Sequence, residues 1–130
     1  MDGVSAAASI WSLLEATGAF VKYLQGIKHA SKQKNELEKE LSLLYSLLCT
    51  LNSLKYHSTD PESWNSAIST LGFTHGPLAQ YASTLAELRK KISSKLSITW
   101  PFQKDDVKEM MEKMERLKAA IGLVLNIDQL

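Results

Sequence analysis

Leu37, Leu41, Leu44, Leu48 and Leu51 are spaced by four, three, four and three residues. That spacing returns each side chain to one face of an α-helix and does not fit the two-residue alternation of a strand. The same rhythm recurs in Leu78, Tyr81, Leu85, Leu88 and Ile92, and again in Val107, Met110, Met114, Leu117, Ile121 and Val124. A helix striped in this way must cover its apolar face, and helices so striped cover one another. No stretch alternates over strand length between turn residues, so no sheet is expected.

The punctuation between the stripes sets the architecture. Segments near 4–28, 34–56, 77–96 and 104–126 read as long helices. In the second, Leu43, Leu47 and Leu54 widen the leucine seam. Asp60, Pro61 and Glu62 form a helix start and Gly72 a stop, which predicts a short helix near 61–71 carrying Trp64, Ile68 and Leu71 as a lid. Pro77 opens the next long helix. Pro101 breaks the chain after Trp100. Asp105 and Asp106 then sit in a first helical turn, where negative charge favours the dipole. The expectation is an all-α fold, an antiparallel bundle of four long helices plus one short helix, with residues 1–130 as a single domain.

Function classes fall away one by one. Apolar residues make up 45% and charged ones 22%, which is a globular rather than a disordered composition. A net charge of +1 gives no global field to steer the chain to nucleic acid, so no nucleic-acid partner is expected. The lone Cys49 stands in the apolar run LLCTL and reads as a small core filler. His29, His57 and His75 are scattered, without the spacing of a metal site, and neither a metal nor a cofactor is expected. No phosphate loop, nucleophile elbow or HExxH occurs, and the carboxylates alternate with Lys and Arg as on solvated helix faces. Met110, Met111 and Met114 read as core filling rather than as a binding groove. The chain does not read as an enzyme.

The N-terminal segment is the anomaly. MDGVSAAASIWSLLEATGAFVKYLQG carries no charge from Gly3 to Leu14, and then only Glu15 and Lys22 before Lys28. Its apolar residues fall in two adjacent stripes covering most of the helix, a pattern for a central position or for lipid. It lacks the basic start and cleavage pattern of a secretory signal. A span from Gly3 to Ile27 would carry Glu15 and Lys22 into lipid, at roughly 2.5–3.5 kcal/mol for a charge near the centre. The helix is thus not committed to lipid, yet an assembly that shields those charges would tip it there. Ala8, Ser12 and Ala16 recur every four residues, a ridge that permits close helix–helix approach in lipid or inside a bundle.

Two blocks together resemble a known family. They are the opening MDGVSAAASIWSLLEATGAFVKYLQGI and the later LSITWPFQKDDVKEMMEKMERLKAAIGLVLN. They resemble the HeLo-like domains at the N-termini of fungal NOD-like receptors (STAND proteins) and of amyloid-controlled cell-death effectors. In that family a first helix rich in Ala, Ser and Gly precedes Leu-rich helices, and a turn around W-P-F opens a charged helix. Ile98, Trp100, Pro101, Phe102 and Val107 occupy the turn here, and the resemblance covers most of the chain.

The resemblance implies a membrane-targeting, oligomerising effector of regulated, necroptosis-like cell death in fungal heterokaryon incompatibility or immunity. It would be cytoplasmic at rest and relocate to the plasma membrane. It would self-associate on activation by an upstream NOD-like receptor or amyloid module, neither of which is present in this chain. Val4, Ile10, Trp11, Leu14, Phe20, Val21 and Leu24 are the candidate membrane-engaging residues, some of them expected to be only partly buried at rest. Arg89, Lys90, Lys91 and Lys95 are candidates for anionic headgroups, or simply a solvated helix end. Trp100, Pro101 and Phe102 are the structural turn, with both rings expected to be buried as a plug. Two alternatives stand beside this reading: a homotypic adaptor module of a STAND receptor that packs on partners without meeting lipid, and a helical cofactor-binding or catalytic bundle.

Overall fold

The computed structural model describes residues 3–27, 32–57, 76–93 and 102–129, with side chains over 10–27, 32–53, 76–91 and 102–125. Four helices fill these stretches: α1 (Gly3–Gln25), α2 (Lys32–His57), α3 (Pro77–Ser93) and α4 (Lys104–Gln129), and there is no strand among the described residues. The expected short helix near 61–71 lies outside the described residues.

Local chemistry explains the helix ends. α1 stops at Gln25, short of the expected Lys28, because Gly26 lowers helix propensity and the chain tightens there. The Gly26 N–H is shared between the carbonyls of Lys22 and Tyr23, and the Ile27 N–H donates to Leu24 O. Ile27 is thereby turned inward and buried. At the start of α3, Gly76 O accepts the first helical bond from Gln80 N–H, with Pro77 where its missing N–H costs nothing. The head of α4 is closed by Asp106, whose carboxylate accepts from the Gln103 backbone N–H at 2.9 Å, the reach-back half of a capping box. α4 runs on to Gln129, past the expected end near 126, since no Gly or Pro follows Gly122.

Packing fixes the order around the bundle. α1 packs along α2, α2 along α4 and α4 along α3, while α1 meets α3 only lightly. α1 is about 35 Å long at 1.5 Å per residue, and the link of residues 26–31 spans at most roughly 25 Å, so α1 and α2 must run antiparallel. α3 and α4 are antiparallel because Gln80 pairs with Arg116 whereas Lys91 pairs with Asp106. Thr17 meets Tyr81, and three residues further along α1 Phe20 meets Phe102, which stands at the α4 head beside the last turns of α3. Moving along α1 therefore moves along α3 in the same sense. α1 and α3 run parallel, as do α2 and α4.

The core is the set of seams read from the sequence. Leu37, Leu41, Leu44, Leu48 and Leu51 are fully enclosed, as are Met110, Met114, Leu117 and Ile121. Leu78, Tyr81, Leu85 and Leu88 supply the α3 contribution, and Cys49 and Met111 pack against its edge. A fully buried Leu contributes about 1.5–3 kcal/mol, so these seams carry the fold. Across α2 and α4, Lys118 bridges Glu40 and also Glu115, the latter at 2.6 Å. Partial burial opposes the Lys118 charge, but the two carboxylates outweigh it and hold the ammonium above its ordinary pKa.

Candidate functional site: the first helix and its seams

The α1 backbone positions its side chains in three groups. Ile10, Leu13, Leu14, Phe20 and Leu24 point into the bundle and are buried. Val21 and Ala16 are partly buried against the core. Trp11, Ser12, Glu15, Ala19 and Lys22 face outward, with Trp11 50% exposed. Of the seven residues expected to engage a membrane, Trp11 alone is strongly exposed at rest among the described side chains; the Val4 side chain lies outside them. The bundle hides most of the apolar cover of α1, and Glu15 and Lys22 point away from the core where their charges stay solvated.

The small-residue ridge falls on a different surface from the close helix contact. Ser12 is exposed and Ala16 half-buried, while the Ala8 side chain lies outside the described residues. The tight approach is made instead by Gly18. A Cβ there would lie 3.0 Å from the Tyr45 ring, so the glycine lets the α2 tyrosine settle on the α1 backbone. Spacing by four singled out Ala8, Ser12 and Ala16; the signal for Gly18 is that it stands four residues after Leu14 and three before Val21, on an apolar stripe.

Toward α3, α1 makes one buried polar contact among the described residues. Thr17 Oγ1 and Tyr81 Oη lie 2.6 Å apart, and both residues are fully enclosed. Burial pushes the Tyr81 phenol well above its ordinary pKa, and the bond to Thr17 offsets this only in part, so the hydroxyl stays protonated. Next to it, Phe20 and Phe102 lie with ring centroids 5.9 Å apart and planes tilted by 30°. Phe102 is 5% exposed, as expected of a plug, and it seals α1 against the head of α4. Trp100 and Pro101 lie outside the described residues.

Arg89, Lys90 and Lys91 are exposed on the last turns of α3, and Lys95 lies outside the described residues. Lys91 donates to Asp106 Oδ1 at 2.6 Å. That bond, together with the Gln103 N–H, holds the Asp106 carboxyl below its ordinary pKa. Because α1 and α3 run parallel, this basic group sits at the end where α1 finishes. Trp11 lies six residues before Thr17 on α1, and Arg89 eight residues beyond Tyr81 on α3. At 1.5 Å per residue the two are separated by roughly 20 Å along the bundle axis. The resting fold therefore holds Trp11 far from the candidate headgroup contacts, while Val21 and Leu24, near the end of α1, lie about level with them.

Other surfaces are less specific. An open groove of about 350 Å³ between α3 and α4 is lined by Ala79, Gln80, Ser83, Thr84, Glu87, Glu109 and Lys113, with neither His nor Cys in its lining. Leu43, part of the widened leucine seam, is 49% exposed, and Leu123 on α4 is 66% exposed. Among the described residues, no helix is long and apolar enough to cross a membrane, and no three His, Cys, Asp or Glu side chains form a group that would hold a metal ion. No family model, curated protein or solved structure matches this chain.

Proposed function

We propose that this chain is a HeLo-like effector domain that targets membranes, oligomerises and executes regulated, necroptosis-like cell death, with α1 as the lipid-engaging element. The observation that carries the proposal is Trp11. A large aromatic stands half in water on a helix with no charge from Gly3 to Leu14. Tryptophan favours the boundary between water and hydrocarbon, so a resting exposure there is a foothold for an interface. Behind it, Ile10, Leu14, Phe20 and Leu24 are an apolar reserve that lipid contact would draw on once α1 leaves the bundle.

The proposal has two stages, because the basic end of α3 and Trp11 lie far apart at rest. Arg89, Lys90, Lys91 and Lys95 first approach an anionic surface, at about 1 kcal/mol per basic residue near it. α1 then turns toward the lipid, and copies pack along Ala8, Ser12 and Ala16. The domain acts from the cytoplasm toward the plasma membrane, under an upstream NOD-like receptor or amyloid module. The finer fold reading, a short helix near 61–71 completing four long helices, belongs to the same proposal.

The test is Trp11→Glu. A charge at Ile10 or Leu14 would be buried and would unfold the bundle, whereas Trp11 is exposed and the variant should fold. Loss of binding to vesicles containing phosphatidylserine, with circular dichroism unchanged, supports the proposal. Undiminished binding overturns it. A homotypic adaptor without lipid contact is the second reading, favoured by the exposure of Leu43 and Leu123, on which a partner helix would pack.

A further inference from the structure

We infer that the α1–α3 seam is the line along which this bundle opens, with the Thr17–Tyr81 hydrogen bond as its latch. Three sides of the four-helix ring are closed by extensive packing, α1 on α2, α2 on α4 and α4 on α3. The fourth side, α1 on α3, is thin among the described residues. Among the described residues, the Thr17–Tyr81 pair crosses that side, and the Phe20–Phe102 pair closes its end against the α4 head. Local opening in a folded protein takes the path that exposes the least packed surface. Here that path separates α1 from α3 while α1 stays against α2, where Gly18 and Tyr45 keep the two helices in close contact.

The chemistry of the latch suits a seam that must open. Both hydroxyls are enclosed, so each depends on the other for a partner. On opening, both regain water, and the net loss is far smaller than for prising apart two apolar groups. A polar pair at this position therefore holds the seam in register without welding it shut. Its bearing on function rests on the membrane reading above, since this opening would free Phe20 and its neighbours, but the opening itself does not.

Hydrogen exchange on the 130-residue chain tests the seam without any membrane. Tyr81→Phe strands the Thr17 hydroxyl and should speed exchange of the α1 amides between Leu14 and Leu24 about fivefold, leaving those of α3 and α4 nearly unchanged. Thr17→Val strands the phenol and should do the same. The double variant replaces both partners with apolar groups of the same shape, and should return α1 to wild-type exchange or slower. Equal acceleration in all four helices would show that α1 has no opening of its own and would overturn the inference. So would a double variant whose α1 exchange is the product of the two single effects. Binding of Tyr81→Phe to phosphatidylserine vesicles is scored apart. Faster α1 exchange with unchanged vesicle binding leaves the seam standing and removes the membrane reading.

Discussion

Replacing Phe102 with alanine probes the junction where α1, the end of α3 and the head of α4 meet. The ring is almost fully enclosed and lies 5.9 Å from Phe20, itself buried. Removing a buried phenyl forfeits its transfer free energy and leaves a cavity, together about 3–5 kcal/mol. The ring–ring contact contributes about 0.5–1.5 kcal/mol of its own. Phe102 stands at one end of the bundle, where neighbours can partly collapse, so the low end, about 3 kcal/mol, is expected. For a chain of this size that is roughly a 12 °C fall in the thermal midpoint, read by circular dichroism at 222 nm. Phe102→Leu keeps most of the apolar volume and should cost about 1 kcal/mol. A double-mutant cycle with Phe20→Leu should return a coupling of about 0.5–1.5 kcal/mol. A midpoint unmoved by Phe102→Ala would refute the plug and, with it, the placement of α1 against the α4 head.

Further substitutions test the neighbouring claims. Gly18→Ala gains about 1 kcal/mol of helix propensity and meets the edge of the Tyr45 ring at 3.0 Å, a surface side chain able to yield, so urea melts should shift by less than about 0.5 kcal/mol. Gly18→Leu has no such room and should lower stability by about 1–3 kcal/mol. Asp106→Ala removes both the reach-back cap and the Lys91 pair, and should cost about 1 kcal/mol at pH 7. The Asp106 pKa is lowered in the folded chain, so its contribution is full above the ordinary aspartate value of 3.8 and is lost as pH falls through the lowered one; the gap between variant and wild type should close on that acid side.

Much of this fold was legible because four-three spacing has only one structural meaning. The leucines of α2 and the Val–Met–Leu–Ile series of α4 announced both the helices and the faces they bury. Helix ends were less legible, since Gly26 and the uninterrupted tail after Gly122 act through bonds that spacing does not register. Leu43 shows a second limit. A stripe of leucines can be wider than the face its neighbours cover, and only the packed arrangement decides which leucine is left in water. Thr17 and Tyr81 show a third. They stand 64 residues apart in sequence, and nothing local to either one signals that the ring order α1–α2–α4–α3 will bring them together. The candidate site was legible as composition, a helix free of charge from Gly3 to Leu14 with a small-residue face. Its geometry was not, and the distance between the basic end of α3 and Trp11 follows only from the parallel run of α1 and α3.

The central claim is that α1 engages lipid, and dye release from phosphatidylserine-containing vesicles tests it most directly. The wild-type chain should release entrapped dye, and Trp11→Glu, shown by circular dichroism and melting to be folded, should release it at least tenfold more slowly, as expected for about 1.4 kcal/mol or more of lost interfacial affinity. Release at equal rates by the two proteins, or no release by either, would contradict the account.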